Sequence, residues 1–392
     1  MTRVLDPTAP VTHRAGPALG ALALGAFGIG LTEFAIAGLL TPVADDLGVS
    51  VSAAGQLVSG YALAVVFGAL TLTPFLLHRP PRTALLVFMA LFVAGNVVSA
   101  AATDYGVMMI GRVIAALCHG GFFGLGAVVA GDLVAPQRRA QAISAMFAGL
   151  TVANVLGVPV GTWVGQSLSW RATFWLIALV GAVALVALRA AVPSLPARDD
   201  GPVRAQLTVL TDRRVLLPML TTAAVFGGVI GAFTYVEPLV TRVTGFGEGA
   251  VPWLLVVFGG GLVAGNIVGG RLADRWLTTT LLALTGALPV VLAAYALGAD
   301  NRVLTVLLLA VLGFVGFATV PGLQLRALAH AGGAPVMASA GNIAAFNLGN
   351  AIGVAAGGFV LAHVGLTAPA WAGATLCLVG FVLVAVTSRA SS

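Results

Sequence analysis

The hydrophobic positions of this sequence fall in long runs that are separated by short polar stretches. A helix needs about 20 apolar residues to cross the hydrocarbon core of a bilayer. Twelve runs of about that length predict twelve helices, numbered 1 to 12 in chain order. They cover residues 17–41, 53–77, 83–102, 106–131, 141–165, 172–192, 215–240, 250–270, 278–298, 303–329, 337–362 and 367–388. The pattern therefore predicts an all-α integral membrane protein.

The composition supports a lipid bilayer as the surroundings of the chain. Hydrophobic residues make up 59% of the 392 positions and charged residues only 8%, whereas soluble domains carry roughly 25% charged residues. So few charges do not cover a soluble surface. All 19 basic residues are arginines that lie scattered between apolar runs, and because no basic face forms, nucleic acid is not an expected partner.

The chain divides into two similar halves at its longest polar stretch after the N-terminal tail. The predicted parts are an N-terminal tail at 1–16, a six-helix bundle at 17–192, a linker at 193–214, a second six-helix bundle at 215–388 and a C-terminal tail at 389–392. Small residues recur every fourth position on helix 5, from Gly149 to Gly165, and again on helix 11, from Gly341 to Gly357. Matching stripes on equivalent helices indicate a duplicated transporter with a central cavity between its halves.

The arginines also predict the orientation. With the N-terminus in the cytoplasm, fifteen arginines fall inside and only Arg171, Arg242 and Arg302 fall outside, while Arg112 lies within helix 4. Cytoplasmic loops of membrane proteins are enriched in basic residues. We therefore expect a multi-pass protein of the plasma (inner) membrane with both termini in the cytoplasm.

Two ionisable residues lie deep within predicted helices. Glu33 of helix 1 is expected about 12 Å below the outer surface, and Arg112 of helix 4 about 10 Å below it. Ionisable groups at such depth usually face a cavity or a partner. The two residues are candidates for proton coupling, and the alternative is a fixed ion pair that joins helices 1 and 4. Burial disfavours an ionised Glu33 whereas a nearby Arg112 favours it, so the sequence leaves the protonation state of Glu33 open.

Other polar and aromatic side chains could contact a substrate in the cavity. The candidates are His119, Asn154, Phe233, Tyr235, Glu237, Asn342, Phe346 and Asn347. Each has a plainer alternative: a packed aromatic ring, a hydrogen-bonded core histidine, an amide that joins two helices, or, for Glu237, a solvated charge at a helix end.

Several kinds of chemistry lack their motifs in this sequence. There is no phosphate-binding GxxxxGK[ST] loop, so ATP is not the expected energy source. The two cysteines, Cys118 and Cys377, lie far apart in apolar runs and offer neither a metal site nor a disulfide framework. HExxH and GxSxG are also absent. We therefore expect neither an enzyme nor a bound cofactor or metal.

Motifs along nearly the whole chain resemble the major facilitator superfamily, and within it the twelve-helix drug:proton antiporters and the AraJ-like sugar-efflux and chloramphenicol-resistance exporters. The segments that carry the resemblance include LTEFAIAGLL on helix 1, GRVIAALCHGGFFGLGAVV on helix 4, GLTVANVLGVPVGTWVG on helix 5, GAFTYVEPL on helix 7, GGRLADRW after helix 8 and NIAAFNLGNAIG on helix 11. The resemblance implies a major facilitator fold that is monomeric.

The resemblance also implies roles for individual residues. Arg112 matches the helix 4 arginine that takes part in proton coupling, and Glu33 corresponds to the acidic residue on helix 1 of related exporters. The antiporter motif of helix 5 maps onto Gly149, Gly157, Pro159 and Gly161. That motif is associated with export rather than import.

A cytoplasmic gating motif of the family is present in the second half and eroded in the first. The second-half motif comprises Gly270, Leu272, Ala273, Asp274 and Arg275. In the first half Pro74 and His78 replace the usual Gly and Asp, whereas Arg79 and Arg82 remain. Asp132 matches the family's partner for those arginines, and an Arg82–Asp132 pair is one possible latch.

These observations together predict a proton-coupled antiporter that exports small amphipathic molecules, such as chloramphenicol and other drugs. The alternative is an exporter of sugars or other small metabolites, which the intramembrane amides and the AraJ-like segments favour. A channel or a membrane enzyme is the candidate from another class.

Overall fold

The structure, a computed structural model, describes residues 15–49, 51–197, 203–247, 250–329 and 331–389. Eleven helices in this part of the chain are long and apolar enough to cross a membrane. One of them, Val251–Leu297, has 47 residues, more than twice the length that one crossing needs. Its backbone leaves the helical region at Trp276, with φ −144° and ψ 63°. It therefore supplies helices 8 and 9, which gives twelve crossings.

The observed bounds follow the predicted runs closely. Helices 1, 2 and 3 are Ala15–Ala35, Val51–Leu70 and Pro81–Ala100. Helix 4 consists of Tyr105–Leu117 and His119–Asp132. Helix 5 consists of Arg139–Val152, Ala153–Gly157 and Val158–Ser167, and helix 6 is Trp170–Ala191. In the second half, helix 7 is Arg213–Thr234, helices 8 and 9 lie within Val251–Leu297, and helices 10 to 12 are Arg302–Ala329, Pro335–His363 and Ala368–Arg389.

Short helical pieces extend several of these crossings or lie between them. They are Ile36–Leu39 and Leu40–Leu47 after helix 1, Leu72–Leu76 after helix 2, Pro136–Arg138 before helix 5, Val203–Thr208 and Val209–Thr211 before helix 7, and Val236–Arg242 after it. The predicted linker 193–214 thus contains its own short helix, and helix 7 begins within its last two residues. Residues 1–14 of the predicted N-terminal tail and 390–392 of the C-terminal tail lie outside the described residues.

Glycine stripes bring equivalent helices into backbone contact in both halves. A Cβ atom at Gly149 of helix 5 would lie 1.8 Å from the carbonyl oxygen of Ala23 on helix 1. A Cβ atom at Gly353 of helix 11 would lie 1.9 Å from the carbonyl oxygen of Gly227 on helix 7. Without side chains at these points, the helix backbones approach closely enough for dispersion contacts to hold them. Helices 1 and 5 therefore pack in the same manner as helices 7 and 11.

The outer surface of the bundle is apolar. Leu63, Phe67 and Trp163 are each more than 60% exposed, and large exposed apolar surfaces mark contact with lipid or a partner rather than water. One face carries Arg79, Arg82, Arg138, Arg139 and Arg275, in loops and near the ends of helices; it is called the arginine-rich face below. The other end of the bundle is called the opposite face.

Candidate functional site: a cavity between the two halves

A cavity lies between the halves and is lined by helices 1, 4 and 5 from the first half and helices 7, 10 and 11 from the second. The space open to the centre of a water molecule measures about 60 Å³, which is room for a few water molecules. A drug-sized ligand requires a pocket of roughly 300 Å³ or more. The cavity is therefore contracted in this conformation, and a substrate of that size enters only after the halves separate.

Aromatic rings from both halves form the base of the cavity. In the first half the ring centroid of Phe123 lies 5.0 Å from that of His119 and 5.1 Å from that of Phe147. In the second half Phe226 packs against Phe346 at 4.3 Å and against Phe317 at 5.5 Å. Such edge-to-face and tilted pairs are favourable arrangements of aromatic rings. The two clusters are rigid apolar walls that a ligand ring can contact.

Polar side chains form the part of the cavity nearer the opposite face. They are Glu33, Thr151, Asn154, Asn347 and Asn350. Glu33 is half-buried, and within the described part of the chain its carboxyl group has neither a hydrogen bond nor an ion pair. It is the one carboxyl among the residues that line the cavity. An unpaired acid in a largely apolar cavity can bind a proton or a hydrogen-bond donor of a ligand.

Arg112 is fully buried beside this cavity and does not pair with Glu33. Its Nη1 donates to the carbonyl oxygen of Thr32 at 2.6 Å, and its guanidinium carbon lies 4.3 Å from the ring centroid of Tyr61. The Nε and Nη2 atoms have no hydrogen-bond partner in the described part of the chain. The Thr32 hydroxyl in turn donates to Asn96 Oδ1 at 2.6 Å. The fixed ion pair, which was the alternative to proton coupling, is therefore not formed, and a polar cluster joins helices 1, 3 and 4 instead.

His119 connects that cluster with the cavity. Its Nδ1 lies 3.2 Å from the hydroxyl of Tyr61, and its ring contacts the ring of Phe123. Tyr61 lies under the Arg112 guanidinium. His119 is thus held in place by one hydrogen bond and two ring contacts while one edge lines the cavity. The structure places Glu33, His119, Asn154, Phe346 and Asn347 together around one space.

Four other predicted cavity residues lie elsewhere. Phe233 stacks on Phe258 with centroids 3.8 Å apart, and the Tyr235 hydroxyl donates to the carbonyl oxygen of Val354. Glu237 is exposed near the end of helix 7, as its solvated alternative implied. None of these three residues is among those that line the cavity.

Asn342, the fourth, belongs to a buried hydrogen-bond network. It accepts from the Thr222 hydroxyl at 2.8 Å and donates to Gln324 Oε1 at 2.7 Å, and the Gln324 amide also bonds the Ser339 hydroxyl. These four side chains are fully buried. The network joins helices 7, 10 and 11, so the interhelical alternative describes the position of Asn342.

Several further residues line the cavity that were not predicted to do so. They include Leu150, Thr151, Phe226, Ile230, Phe317, Val320 and Ile343. A signal for them exists in the spacing, since residues three, four and seven apart share one face of a helix. On helix 5 the lining residues are 147, 150, 151 and 154, and on helix 11 they are 343, 346, 347 and 350. Asn154 and Asn347 therefore mark the cavity faces of both helices.

The antiporter motif of helix 5 coincides with an irregular stretch of backbone. Residues Ala153–Gly157 form a π-helical turn that ends two residues before Pro159. Proline lacks the amide hydrogen that continues the α-helical pattern, and π-turns often occur at functional sites. Gly157 and Gly161 approach side chains of helix 1, including Leu31. The motif thus shapes the wall of the cavity near Asn154.

On the arginine-rich face, Asp274 of the second half contacts the beginning of helix 5 of the first. Its carboxylate oxygens accept from the backbone amides of Ala140 at 2.6 Å and Gln141 at 3.0 Å. The first amides of a helix have no partner within the helix, and its dipole attracts an anion. A Cβ atom at Gly270 would lie 2.7 Å from that of Ser144. Gly270 therefore allows the close approach that places Asp274 at this helix end.

A second contact of the same interface lies one turn further along. The Ser144 hydroxyl donates to the carbonyl oxygen of Asn266, and the Asn266 amide donates to the carbonyl oxygen of Ser144. Nearby, Gly124 of helix 4 lies against Ala340 of helix 11. The two halves thus touch below the aromatic base, and the arginine-rich face is closed in this conformation.

The eroded gating segment of the first half forms no comparable latch. The Asp132 carboxylate lies 3.9 Å from Arg139 rather than beside Arg82. Arg79 is exposed, and neither it nor Arg82 forms an ion pair with any described residue. The possible Arg82–Asp132 pair is therefore not formed, because helix 5 presents Arg139 closer to Asp132. Arg275 is exposed and lies next to Asp274, just before the kink at Trp276.

No group of three or more His, Cys, Asp or Glu side chains is placed to hold a metal ion within the described ranges. Cys118 and Cys377 are both free and buried. The cavity is lined by aromatic rings, aliphatic side chains, amides, one hydroxyl, one imidazole and one carboxyl group. It is suited to binding rather than to covalent catalysis.

Twelve crossings in two similarly packed halves around a central cavity define a transporter. Residues 22–344 match the profile of the Major Facilitator Superfamily. The chain belongs to this superfamily of membrane transporters and is not an enzyme. The predicted fold class and family are thereby confirmed.

Relatives extend over most of the chain. The inner membrane transport protein YdhP of Escherichia coli K12 is 43% identical over 341 residues, which covers 87% of this chain and 88% of the relative. A chloramphenicol resistance protein of Streptomyces lividans is 36% identical, with 92% and 94% covered. The purine ribonucleoside efflux pump NepI of Escherichia coli is 29% identical, with 90% and 89% covered. The human organic anion transporter MFSD10 shares the fold, with a TM-score of 0.75, 17% identity and coverage of 95% and 100%.

Proposed function

We propose that this protein is a proton-coupled antiporter that exports small amphipathic molecules, with drugs such as chloramphenicol among its cargo. The observation that carries the proposal is the composition of the central cavity. Aromatic rings from both halves face one unpaired carboxyl group, and no arginine lines the space between them. Such a cavity accommodates an uncharged or weakly charged amphipath better than a polyanion.

We place the arginine-rich face in the cytoplasm of a plasma-membrane protein, with both termini on that side. The distribution of fifteen arginines against three supports this orientation. The contacts of Asp274 and Ser144 then close the cytoplasmic side, and the cavity faces outward. Cargo would be loaded from the cytoplasm in the alternate conformation, in which these contacts are broken. The protein would work as a monomer, since one chain contributes both walls of the cavity.

Proton coupling is assigned to Glu33 and Arg112. Arg112 fixes helix 4 to helix 1 through its bond to the carbonyl oxygen of Thr32. Glu33 is the next residue after Thr32, so the charge of Glu33 acts on Arg112. A proton that arrives from outside neutralises Glu33 and removes its attraction for Arg112, which favours one orientation. Cargo in the cavity favours the other orientation. Exchange results only if each ligand binds the two conformations with different affinity.

The test is the accumulation of radiolabelled chloramphenicol in cells that express the protein, with and without a protonophore. We expect lower accumulation than in control cells, restored by the protonophore. The Glu33→Gln variant keeps the shape of the side chain but cannot exchange a proton. It should lose export against a gradient while retaining counterflow, the exchange of labelled for unlabelled cargo. Undiminished proton-driven export by Glu33→Gln would sink the coupling mechanism.

A second candidate is the export of sugars or other small metabolites. Three amides, Asn154, Asn347 and Asn350, line the cavity, and the relative NepI is named for purine ribonucleoside efflux. Efflux of labelled sugars and ribonucleosides from preloaded cells would test this candidate beside the drug assay. Unchanged chloramphenicol accumulation combined with accelerated loss of one of these metabolites would favour it.

A further inference from the structure

The central cavity has two chemically different ends. Its base consists of rings such as Phe147 of helix 5 and Phe346 of helix 11. Asn154 lies seven residues beyond Phe147, roughly 10 Å along the helix axis, and Asn350 lies four residues beyond Phe346, roughly 6 Å. Both helices run from the arginine-rich face towards the opposite face. The amides therefore form a polar end above an apolar base.

The polar end offers hydrogen-bond acceptors, and three of its donor groups bond the backbone of their own helices. The amide nitrogen of Asn154 donates to the carbonyl oxygen of Leu150 at 3.2 Å. That of Asn347 donates to the carbonyl oxygen of Ile343 at 3.0 Å. The Thr151 hydroxyl donates to the carbonyl oxygen of its own preceding turn at 3.0 Å. Each bond leaves an oxygen lone pair free to accept.

Asn350 and Glu33 strengthen this acceptor character. The carboxamide oxygen of Asn350 is buried and has no hydrogen-bond partner in the described part of the chain. A buried polar atom without a partner costs free energy, which a ligand donor recovers on binding. When ionised, Glu33 is also an acceptor only. Five side chains from helices 1, 5 and 11 thus present oxygen atoms that can accept hydrogen bonds from a ligand in one space: Glu33, Thr151, Asn154, Asn347 and Asn350.

We propose that the cargo is a planar ring joined to an arm that carries hydroxyl or other hydrogen-bond donors, with the ring on the aromatic base and the arm among Glu33, Asn154, Asn347 and Asn350. This specifies the cargo of the proposed exporter and rests on that function. Chloramphenicol, a nitrophenyl ring on a diol, and a purine ribonucleoside, a flat base on a ribose, both have this form. Organic anions meet the carboxyl group of Glu33 at the polar end, and free sugars leave the rings without a partner.

The inference is tested by direct binding to purified full-length protein in detergent, measured by scintillation proximity. The probes are chloramphenicol and its 1,3-diacetyl ester, in which both hydroxyls are blocked, with inosine as the ribonucleoside. We expect the ester to bind at least tenfold more weakly than chloramphenicol, since a factor of ten corresponds to about one lost hydrogen bond. The variants are Asn154→Leu and Asn350→Leu, which keep approximate size, Asn350→Asp, which keeps the acceptors, and Asn301→Ser, a control on an exposed loop.

The two leucine variants should weaken chloramphenicol binding about tenfold and reduce the preference over the ester to less than threefold. Asn350→Asp and Asn301→Ser should retain that preference. Equal binding of ester and parent to the unaltered protein would overturn the inference, as would leucine variants that keep the full preference, or failure of both chloramphenicol and inosine to bind. Binding with the expected preference but without protonophore-sensitive export would instead refute the proposed function and leave the inference standing.

Discussion

The Nη1 atom of Arg112 lies 2.6 Å from the carbonyl oxygen of Thr32, so helix 4 binds the last turn of helix 1. The last four carbonyls of an α-helix have no partner within the helix, and a cation is favoured at that end. This contact explains how a buried arginine is tolerated without a carboxylate. It satisfies only one of the three guanidinium nitrogens, since Nε and Nη2 have no partner in the described ranges.

Arg112→Met should abolish proton-driven export while leaving the fold intact. Replacement of an incompletely paired buried ion by an apolar side chain of similar size is often neutral or stabilising. We expect the melting temperature in detergent to stay within about 2 °C of the unaltered protein or to rise. Size-exclusion chromatography after heating measures it, and the drug accumulation assay measures export.

Arg171→Met is the matched control, and we expect it to destabilise the protein without reducing export. Arg171 donates to Asp46 at 2.6 Å and to the carbonyl oxygen of Ala102 at 2.7 Å, and its guanidinium covers the ring of Trp170. Removal should lower the melting temperature by about 3–6 °C with export retained. A larger loss of stability in Arg112→Met than in Arg171→Met would show that Arg112 is mainly structural.

Asn342→Leu and Asn347→Leu should differ although both residues lie on helix 11. Asn342→Leu removes the donor that bonds Gln324 Oε1 and the acceptor of one Thr222 bond, and a buried oxygen left without a partner costs about 1–3 kcal/mol. Asn347 bonds only a carbonyl of its own helix. We expect a large fall in melting temperature for the first variant and a change of less than about 2 °C for the second. Equal stability of the two variants would contradict the network.

Asp274→Ala should loosen the closed arginine-rich face. Hydrogen bonds to a charged group contribute about 1.5–3 kcal/mol, so we expect at least a tenfold rise in the population that is open on this face. A cysteine at Val128, which is buried beside a cavity on that face, would report it through faster labelling by a thiol reagent. The native cysteines are buried. Asp300→Asn, at an exposed position near the opposite face, should leave the labelling rate unchanged.

Gly149→Ala should impair assembly of the first half. The new Cβ atom would lie 1.8 Å from the carbonyl oxygen of Ala23, so helices 1 and 5 would have to separate. Overpacking of this kind costs roughly 1–3 kcal/mol or more. Gly260→Ala is the control, since nothing lies within 4 Å of its Cβ position. Similar expression and melting of the two variants would argue against the close approach.

The number and positions of the helices follow from the length of the apolar runs, because the bilayer sets one length for every crossing. Local breaks were harder to predict. Helix 5 contains a π-turn at Ala153–Gly157, and Pro159 indicates that a break occurs but not its form. Helices 8 and 9 were predicted to be separated by residues 271–277, and they join there through a kink at Trp276 rather than through an extended loop.

The sequence predicted which helices carry the ionisable residues of the site, but not which way the side chains face. Glu33 and Arg112 lie within helices 1 and 4 as predicted, whereas the bond of Arg112 to a backbone carbonyl has no signature in the side-chain sequence. Likewise, Asn342 and Asn347 are five residues apart, so they point to different sides of helix 11. Which side faces the cavity depends on how six helices pack together. The sequence of one helix does not contain that information.

The latch at Asp274 depends on a side chain in the second half but only on the backbone in the first half. Its partners are the main-chain amides of Ala140 and Gln141, and every amino acid except proline offers such an amide. Descendants of this gene can therefore exchange the exposed Gln141 for any residue but proline and keep its bond to Asp274, while loss of the Asp274 carboxylate removes both bonds. Substitutions at position 141 should therefore accumulate without changing how the arginine-rich face closes.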